Sequence, residues 1–184
     1  VNRAKLLIEK GQSLWLDNIK RDFLADGSLS RLMEKYGITG LTSNPSIFEK
    51  AISGSAAYSE SLRILSAQDL SGEEILESLS LEDIQRACDL LLPVYRSTGG
   101  ADGYASLEVS PLISHDRALL VSEAKRLFEK AGRENLLIKI PATPSGVQAL
   151  EELVRDGVNV NATLIFSLDN YLRVAEAYLR AVEY

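Results

Sequence analysis

Lys139 stands in an otherwise apolar stretch, LLIKIPATPSG, where a buried strand should not carry an ammonium group unless something nearby uses it. Burial disfavours the charged form of a lysine and favours the neutral amine. A neutral amine is a nucleophile that can attack a carbonyl and form a Schiff base. Two plainer readings stand beside that one: an edge strand with Lys139 turned to water, or an ion pair with a carboxylate. Carboxylates occur in two other apolar stretches, Asp17 in SLWLDN and Glu108 in ASLEV. Schiff-base chemistry needs such groups. One acid/base moves protons as carbinolamine becomes imine, and a base takes a hydroxyl proton when a carbon–carbon bond breaks. The protonated imine is itself the electron sink, so the chemistry calls for no metal and no other cofactor. With one His, one Cys and no HxxxH, CxxC or clustered-carboxylate pattern, the sequence offers no metal-ligand spacing either.

These residues need elements to position them, and the apolar pattern supplies short strands alternating with amphipathic helices. Strands are predicted at Ser13–Asn18, Ile38–Ser43, Ala105–Val109, Leu136–Ile140 and Val158–Phe166. Helices are predicted at Arg3–Lys10, Ser28–Tyr36, Gly72–Leu79, Leu81–Arg96, Asp116–Lys130, Ser145–Asp156 and Leu168–Tyr184, from apolar residues at three-to-four-residue spacing. Ser80, with Asp83 three residues on, resembles a capping box. Gly37, Gly132 and Gly157 sit where helices should stop. Strands alternating with helices imply a parallel α/β architecture, either a doubly wound sheet or a (β/α)₈ barrel. A doubly wound sheet buries both faces of its strands, which then read as continuous apolar runs. Here one parity is polar: Asp17 beside Trp15; Gly40, Thr42 and Asn44; Ser106, Glu108 and Ser110; Asn159, Asn161 and Thr163. Ile138 and Ile140 would face the helices and Lys139 the other way. Polar groups from many strands converge when the strands curl into a barrel, whose active site lies at the strand C-terminal ends. The barrel is the better reading.

Composition bounds the rest. The 184 residues are 46% hydrophobic, enough for a core, and no apolar run approaches the roughly 20 residues of a membrane span. The start, VNRAKLLIEKGQ, lacks the features of a signal peptide. A single cysteine, Cys88, excludes an internal disulfide and suits a reducing cytoplasm; its helical context predicts a packed thiol. Net charge is −6 with basic residues scattered, so nucleic acid is not an expected partner, and without a long apolar run neither is a membrane. Five strands are fewer than the eight of a barrel. An open piece would expose a sheet edge and an unfilled core, so residues 1–184 are expected to be the first five β/α units of a longer barrel domain, and the absence of Met at Val1 fits trimming at the front. Oligomeric state is not legible.

GITGLTSNPSIFEKAI, SLEVSPLISHD, LLIKIPATPSG and NVNATLIFS, in that order, resemble the successive strand-end motifs of transaldolases. GQSLWLDNI is similar to the start of that family's long bacterial branch. The resemblance covers essentially the whole chain and implies a (β/α)₈ TIM barrel. It implies transfer of a dihydroxyacetone unit from sedoheptulose 7-phosphate or fructose 6-phosphate to glyceraldehyde 3-phosphate or erythrose 4-phosphate, in the pentose phosphate pathway. The partners would then be sugar phosphates. By resemblance, Lys139 would be the Schiff-base lysine and Asp17 the acid/base at the donor's carbon 4 hydroxyl. Glu108 would hold and activate the water that relays protons, with Thr163 assisting. Asn44 and Asn161 would hydrogen-bond the three-carbon unit, and Thr42 and Ser167 would line the pocket. The family's phosphate-binding Ser and Arg residues follow its sixth and seventh strands, outside this sequence, as would the isomerase domain fused to some members.

Each residue also has a structural reading. Asp17 with Asn18 could cap a turn or helix, Glu108 could be only an ion-pair partner of Lys139, and Asn44 before Pro45 could be an N-cap for PSIFEKAI. Ser114, His115 and Asp116 are consecutive, which suits a helix start and not a triad. Trp15 reads as packing. The enzyme rival is fructose-6-phosphate aldolase, a smaller relative with Gln where this chain has Glu108. The rival from another class is an inactive barrel fragment with a structural role.

Overall fold

Strands and helices alternate as the apolar pattern predicts, and hydrogen bonding orders the five strands as they occur in the chain. The computed structural model describes residues 3–183. The strand order is β1-β2-β3-β4-β5. A doubly wound sheet reverses its order at a switch point; this one does not reverse. The class is α/β. Residues 1–105 and 106–184 form two compact units, with β3 crossing the boundary.

The first unit carries α1 (Arg3–Ile8), β1 (Leu14–Asp17), α2 (Arg21–Ala25), α3 (Ser28–Tyr36), β2 (Ile38–Thr42), α4 (Pro45–Ser53), α5 (Ser59–Ser66) and α6 (Gly72–Ser97). Strand β1 runs parallel to β2, with Trp15 opposite Gly40 and Asp17 opposite Thr42. The polar parity read from the sequence is therefore a shared face. Gly40 is required where it stands, because a methyl group there would overlap the Trp15 indole. Gly40→Ala is expected to cost about 1–3 kcal/mol by overpacking, and Trp15→Leu in the same chain should recover most of it. Thermal unfolding of the single and double variants checks this. Helix α3 stops at Gly37, whose left-handed φ of 74° lets its N–H reach the Met33 carbonyl before β2 begins. The N–H of Gly103 bonds to the Thr39 carbonyl, seating the start of β3 (Tyr104–Glu108) beside β2.

The second unit contains the rest of β3, then α7 (Arg117–Ala131), β4 (Leu136–Pro141), α8 (Pro144–Arg155), β5 (Val160–Thr163) and α9 (Leu168–Val182). The Val109 N–H bonds to the Lys139 carbonyl. Strand β4 runs parallel to β5, with Lys139 opposite Asn161 and Pro141 opposite Thr163. Ile138 and Ile140 are fully buried on the opposite face from Lys139, as their alternation predicts. Asp116 caps α7 by accepting the Leu119 N–H, so SHD is a helix start.

Three expectations are corrected: the break in the long helix, the cap at Ser80 and the extent of the fifth strand. Gly72–Leu79 and Leu81–Arg96 are one helix, α6, because Ser80 is not a cap. Its hydroxyl donates to the Leu76 carbonyl one turn back, and the capping box lies at Ser71 and Glu74. Asp83 faces the interior and is fully buried. The fifth strand is shorter than Val158–Phe166, because Leu164 turns the chain with φ of 62° and Phe166 is exposed. Helices α2 and α5 were not read from the sequence; α2, with five residues, is too short for a periodic pattern to register. The last predicted helix begins at Leu168 as expected; its final residue, Tyr184, lies outside the described residues. Cys88 is buried in α6, as a packed thiol. No helix among the described residues is long and apolar enough to cross a membrane. Helix α9 buries Ala177 and Ala181 but leaves Leu168, Leu172, Leu179 and Val182 exposed, an apolar stripe at successive spacings of four, seven and three.

Candidate functional site

In the second unit a polar face is built from β3, β4 and β5. Lys139 Nζ lies 3.2 Å from Glu108 Oε2, and both side chains are nearly buried, at 13% and 14% exposure. Lys139 is not on an edge strand: β4 bonds to Val109 on one side and pairs with β5 on the other. That overturns the reading in which it simply faces water. The ion-pair reading of Lys139 and Glu108 is correct as geometry, and a pair of this kind is also what a reactive amine and its proton carrier would form at rest. Asn161, alongside Lys139 in register, donates from Nδ2 to Ser106 Oγ at 3.1 Å. Ser106 is fully buried. Its parity with Glu108 was visible in the sequence, but its bond to Asn161 was not.

Thr163 ends β5 half-buried, and its carbonyl accepts the Ala142 N–H at 2.8 Å, tying the end of β5 to the turn after Lys139. Beyond the turn at Leu164, Ser167 is the exposed N-cap of α9. Its Oγ accepts the Asn170 N–H at 3.2 Å and keeps its own proton to donate. The structure thus brings Glu108, Lys139 and Asn161 together on neighbouring strands, and places Thr163 two register positions further along β5.

In the first unit Asp17 closes β1 and is exposed, directly opposite Thr42 on β2. It caps no helix: α2 starts four residues later behind Lys20. The Thr42 hydroxyl is buried without a hydrogen-bond partner. A buried hydroxyl left unbonded costs about 1–3 kcal/mol, so this group is one that a bound polar molecule would satisfy. Asn44 is the N-cap that its sequence context predicts, accepting the Ile47 N–H through Oδ1 at 2.9 Å. The cap engages the acceptor end of the amide. Among the described residues, no three His, Cys, Asp or Glu side chains converge so as to hold a metal ion.

A further set of buried polar residues in the first unit was missed by sequence reasoning. Arg21 reaches Asp83 Oδ1 at 2.8 Å, Glu82 Oε2 at 2.7 Å and Ser61 Oγ at 2.7 Å. The Tyr58 hydroxyl donates to Asp83 Oδ2 at 2.7 Å. The signal was present: Asp83 falls in the buried stripe of α6 with Leu79, Ala87 and Leu91, where a carboxylate implies a buried partner.

The described residues thus form a parallel α/β chain with a lysine and a carboxylate paired on the polar face of its strands. The comparisons with known proteins are specific. The sequence model of the transaldolase/fructose-6-phosphate aldolase family matches residues 14–184. Transaldolase 2 of Nostoc punctiforme is 48% identical over 173 residues, which is 94% of this chain and 45% of that protein. The transaldolase of Trichodesmium erythraeum is 47% identical over 173 residues, 94% of this chain and 46% of its own. That of Thiobacillus denitrificans is 45% identical over 182 residues, 99% of this chain and 51% of its own. The chain belongs to the transaldolase/fructose-6-phosphate aldolase family, and it spans about half the length of the curated relatives it matches.

Proposed function

We propose that this chain carries the Schiff-base half of a transaldolase. The observation that carries the reading is the nearly buried Lys139–Glu108 pair, with Asn161 beside it, on the polar face of three adjacent strands. In the proposed reaction the Lys139 amine attacks carbon 2 of a ketose phosphate, sedoheptulose 7-phosphate or fructose 6-phosphate. Protons relayed through a water held by Glu108 and Thr163 convert the carbinolamine to the imine with loss of water. Asp17 removes the carbon 4 hydroxyl proton. The electrons of the carbon 3–carbon 4 bond pass into the protonated imine, an aldose phosphate leaves, and a three-carbon enamine stays on Lys139. Addition of glyceraldehyde 3-phosphate or erythrose 4-phosphate reverses these steps. Asn44, through its Nδ2, and Asn161, through the end of its amide not held by Ser106, bind the hydroxyls of the three-carbon unit. Thr42 and Ser167 line the pocket.

Further β/α units, supplied by the rest of a longer protein, would complete the barrel and cover Leu168, Leu172, Leu179 and Val182. They would also bring the phosphate-binding groups. The pentose phosphate pathway and the cytoplasm are the setting this activity implies, and the buried thiol of Cys88 suits a reducing compartment. The second reading, an aldolase that releases dihydroxyacetone, is disfavoured by Glu108, since those relatives typically carry Gln at the matching position.

The test is borohydride reduction of the full-length protein with fructose 6-phosphate, read by peptide mass spectrometry. The expected result is a three-carbon adduct on the peptide holding Lys139, which disappears when erythrose 4-phosphate is added before the reductant. A folded protein that forms no adduct at Lys139 would end the Schiff-base reading. An adduct that turns over equally well without an acceptor aldehyde would favour the aldolase.

A further inference from the structure

Asp17 is exposed, yet four residues later the chain is held by a buried clamp. Ile19 is fully buried, and Arg21 begins α2 with its guanidinium almost fully buried. Helix α2 has five residues and no side-chain cap from Lys20. Its first N–H, that of Arg21, bonds instead to the Tyr58 hydroxyl at 3.0 Å. The same hydroxyl donates to Asp83, and the Arg21 guanidinium lies 4.5 Å over the Tyr58 ring. Arg21 thus holds four partners from outside its own helix: Tyr58, Ser61, Glu82 and Asp83. All four belong to the long excursion between β2 and β3, which runs well beyond the single helix a parallel crossover needs. Burial pushes the Asp83 carboxyl above the usual carboxylate range, while the Tyr58 and Arg21 hydrogen bonds pull it down. Five residues do not hold a helix in water unaided, so the position of the chain after Asp17 depends on this clamp.

Resting on the transaldolase reading above, we infer that Arg21, Tyr58 and Asp83 are positioning residues: they fix the end of β1 so that the Asp17 carboxylate meets the carbon 4 hydroxyl. The excursion between β2 and β3 is then part of the catalytic apparatus, although none of these three residues touches substrate. A carboxylate misplaced by about 1 Å loses up to ~100-fold in rate. The loss falls on the one step that uses it.

The step can be read directly. Borohydride reduction of the full-length protein with fructose 6-phosphate, without acceptor, traps a six-carbon adduct on Lys139 before bond cleavage and a three-carbon adduct after it. Tyr58→Phe keeps the ring and removes the hydroxyl. It is expected to leave total adduct within about twofold of wild type and to raise the six-carbon to three-carbon ratio about tenfold, with kcat lowered and KM little changed. A merely structural role would lower total adduct at an unchanged ratio, and that outcome overturns the inference. If Tyr58→Phe fails to fold, Arg21→Lys decides, since it keeps the charge beside Asp83 and loses the fork that also reaches Ser61 and Glu82. An unchanged ratio in a folded variant, with normal trapping in wild type, overturns the clamp and leaves the transaldolase reading intact. No adduct in wild type overturns both.

Discussion

Lys139→Ala is expected to abolish transfer, with kcat falling on the order of 10⁵-fold, as losses of a covalent nucleophile do. The reason is that no other group on the polar face of β3–β5 can take its place. Glu108 and Asn161 are its immediate neighbours there, and neither is an amine. Folding should survive. The variant leaves the Glu108 carboxylate, itself nearly buried, without the 3.2 Å ammonium. A fully buried carboxylate stranded in this way costs about 3–5 kcal/mol. Glu108 keeps some contact with water, so a cost of about 1–3 kcal/mol is expected. Lys139→Met, which retains the apolar stem, should lose activity equally with a smaller fall in melting temperature. Turnover, adduct formation and thermal unfolding of the two variants separate chemistry from packing. Turnover above a few per cent of wild type in a folded Lys139→Ala protein would place the nucleophile elsewhere.

Asp17→Ala should act on a different step and leave stability nearly untouched. Asp17 is exposed at the end of β1 and caps no helix, so its loss should change stability by less than about 0.5 kcal/mol. In its proposed role as the base for the carbon 4 hydroxyl it would contribute about 10²–10⁴-fold to cleavage, while the proposed attack of Lys139 on carbon 2 would not use it. With fructose 6-phosphate, the variant should form adduct on Lys139 at a near-normal rate but hold it as the six-carbon species. Near-normal cleavage of the ketose by Asp17→Ala would show that its role had been misassigned. The two variants are complementary: one forms no adduct, and the other forms it and stops.

The parts of this design that follow from local rules were legible in the sequence. Alternation along β4 identified Ile138 and Ile140 as the buried side and Lys139 as the other. That inference holds because a strand has a period of two whatever it packs against. Asn44 and Asp116 were readable as N-caps because a cap bonds within three residues of itself. The order of motifs also sufficed for the family. Failures came where a local pattern had two physical solutions. Ser80 and Asp83 have the types and spacing of a capping box, yet one helix runs from Gly72 to Ser97, and Ser80 bonds backwards to Leu76.

Residue types, parity and motif order by themselves determined that this is a parallel α/β chain of the transaldolase/fructose-6-phosphate aldolase family, with Lys139 on a polar strand face. The elements and the strand parity were legible because backbone periodicity and capping depend on neighbours a few residues away, and the family because its motifs resemble those of transaldolases in order. Only the tertiary structure decided that Lys139 is paired with Glu108 across 31 positions and that Asn161 leans on Ser106 across 55. It alone decided that Arg21 is gripped by Tyr58 and Asp83, the latter 62 positions distant. Such contacts bury charged or polar groups, which is tolerable only when the partner is already in place. Which partner that is depends on how strands and helices far apart in the chain come to lie side by side.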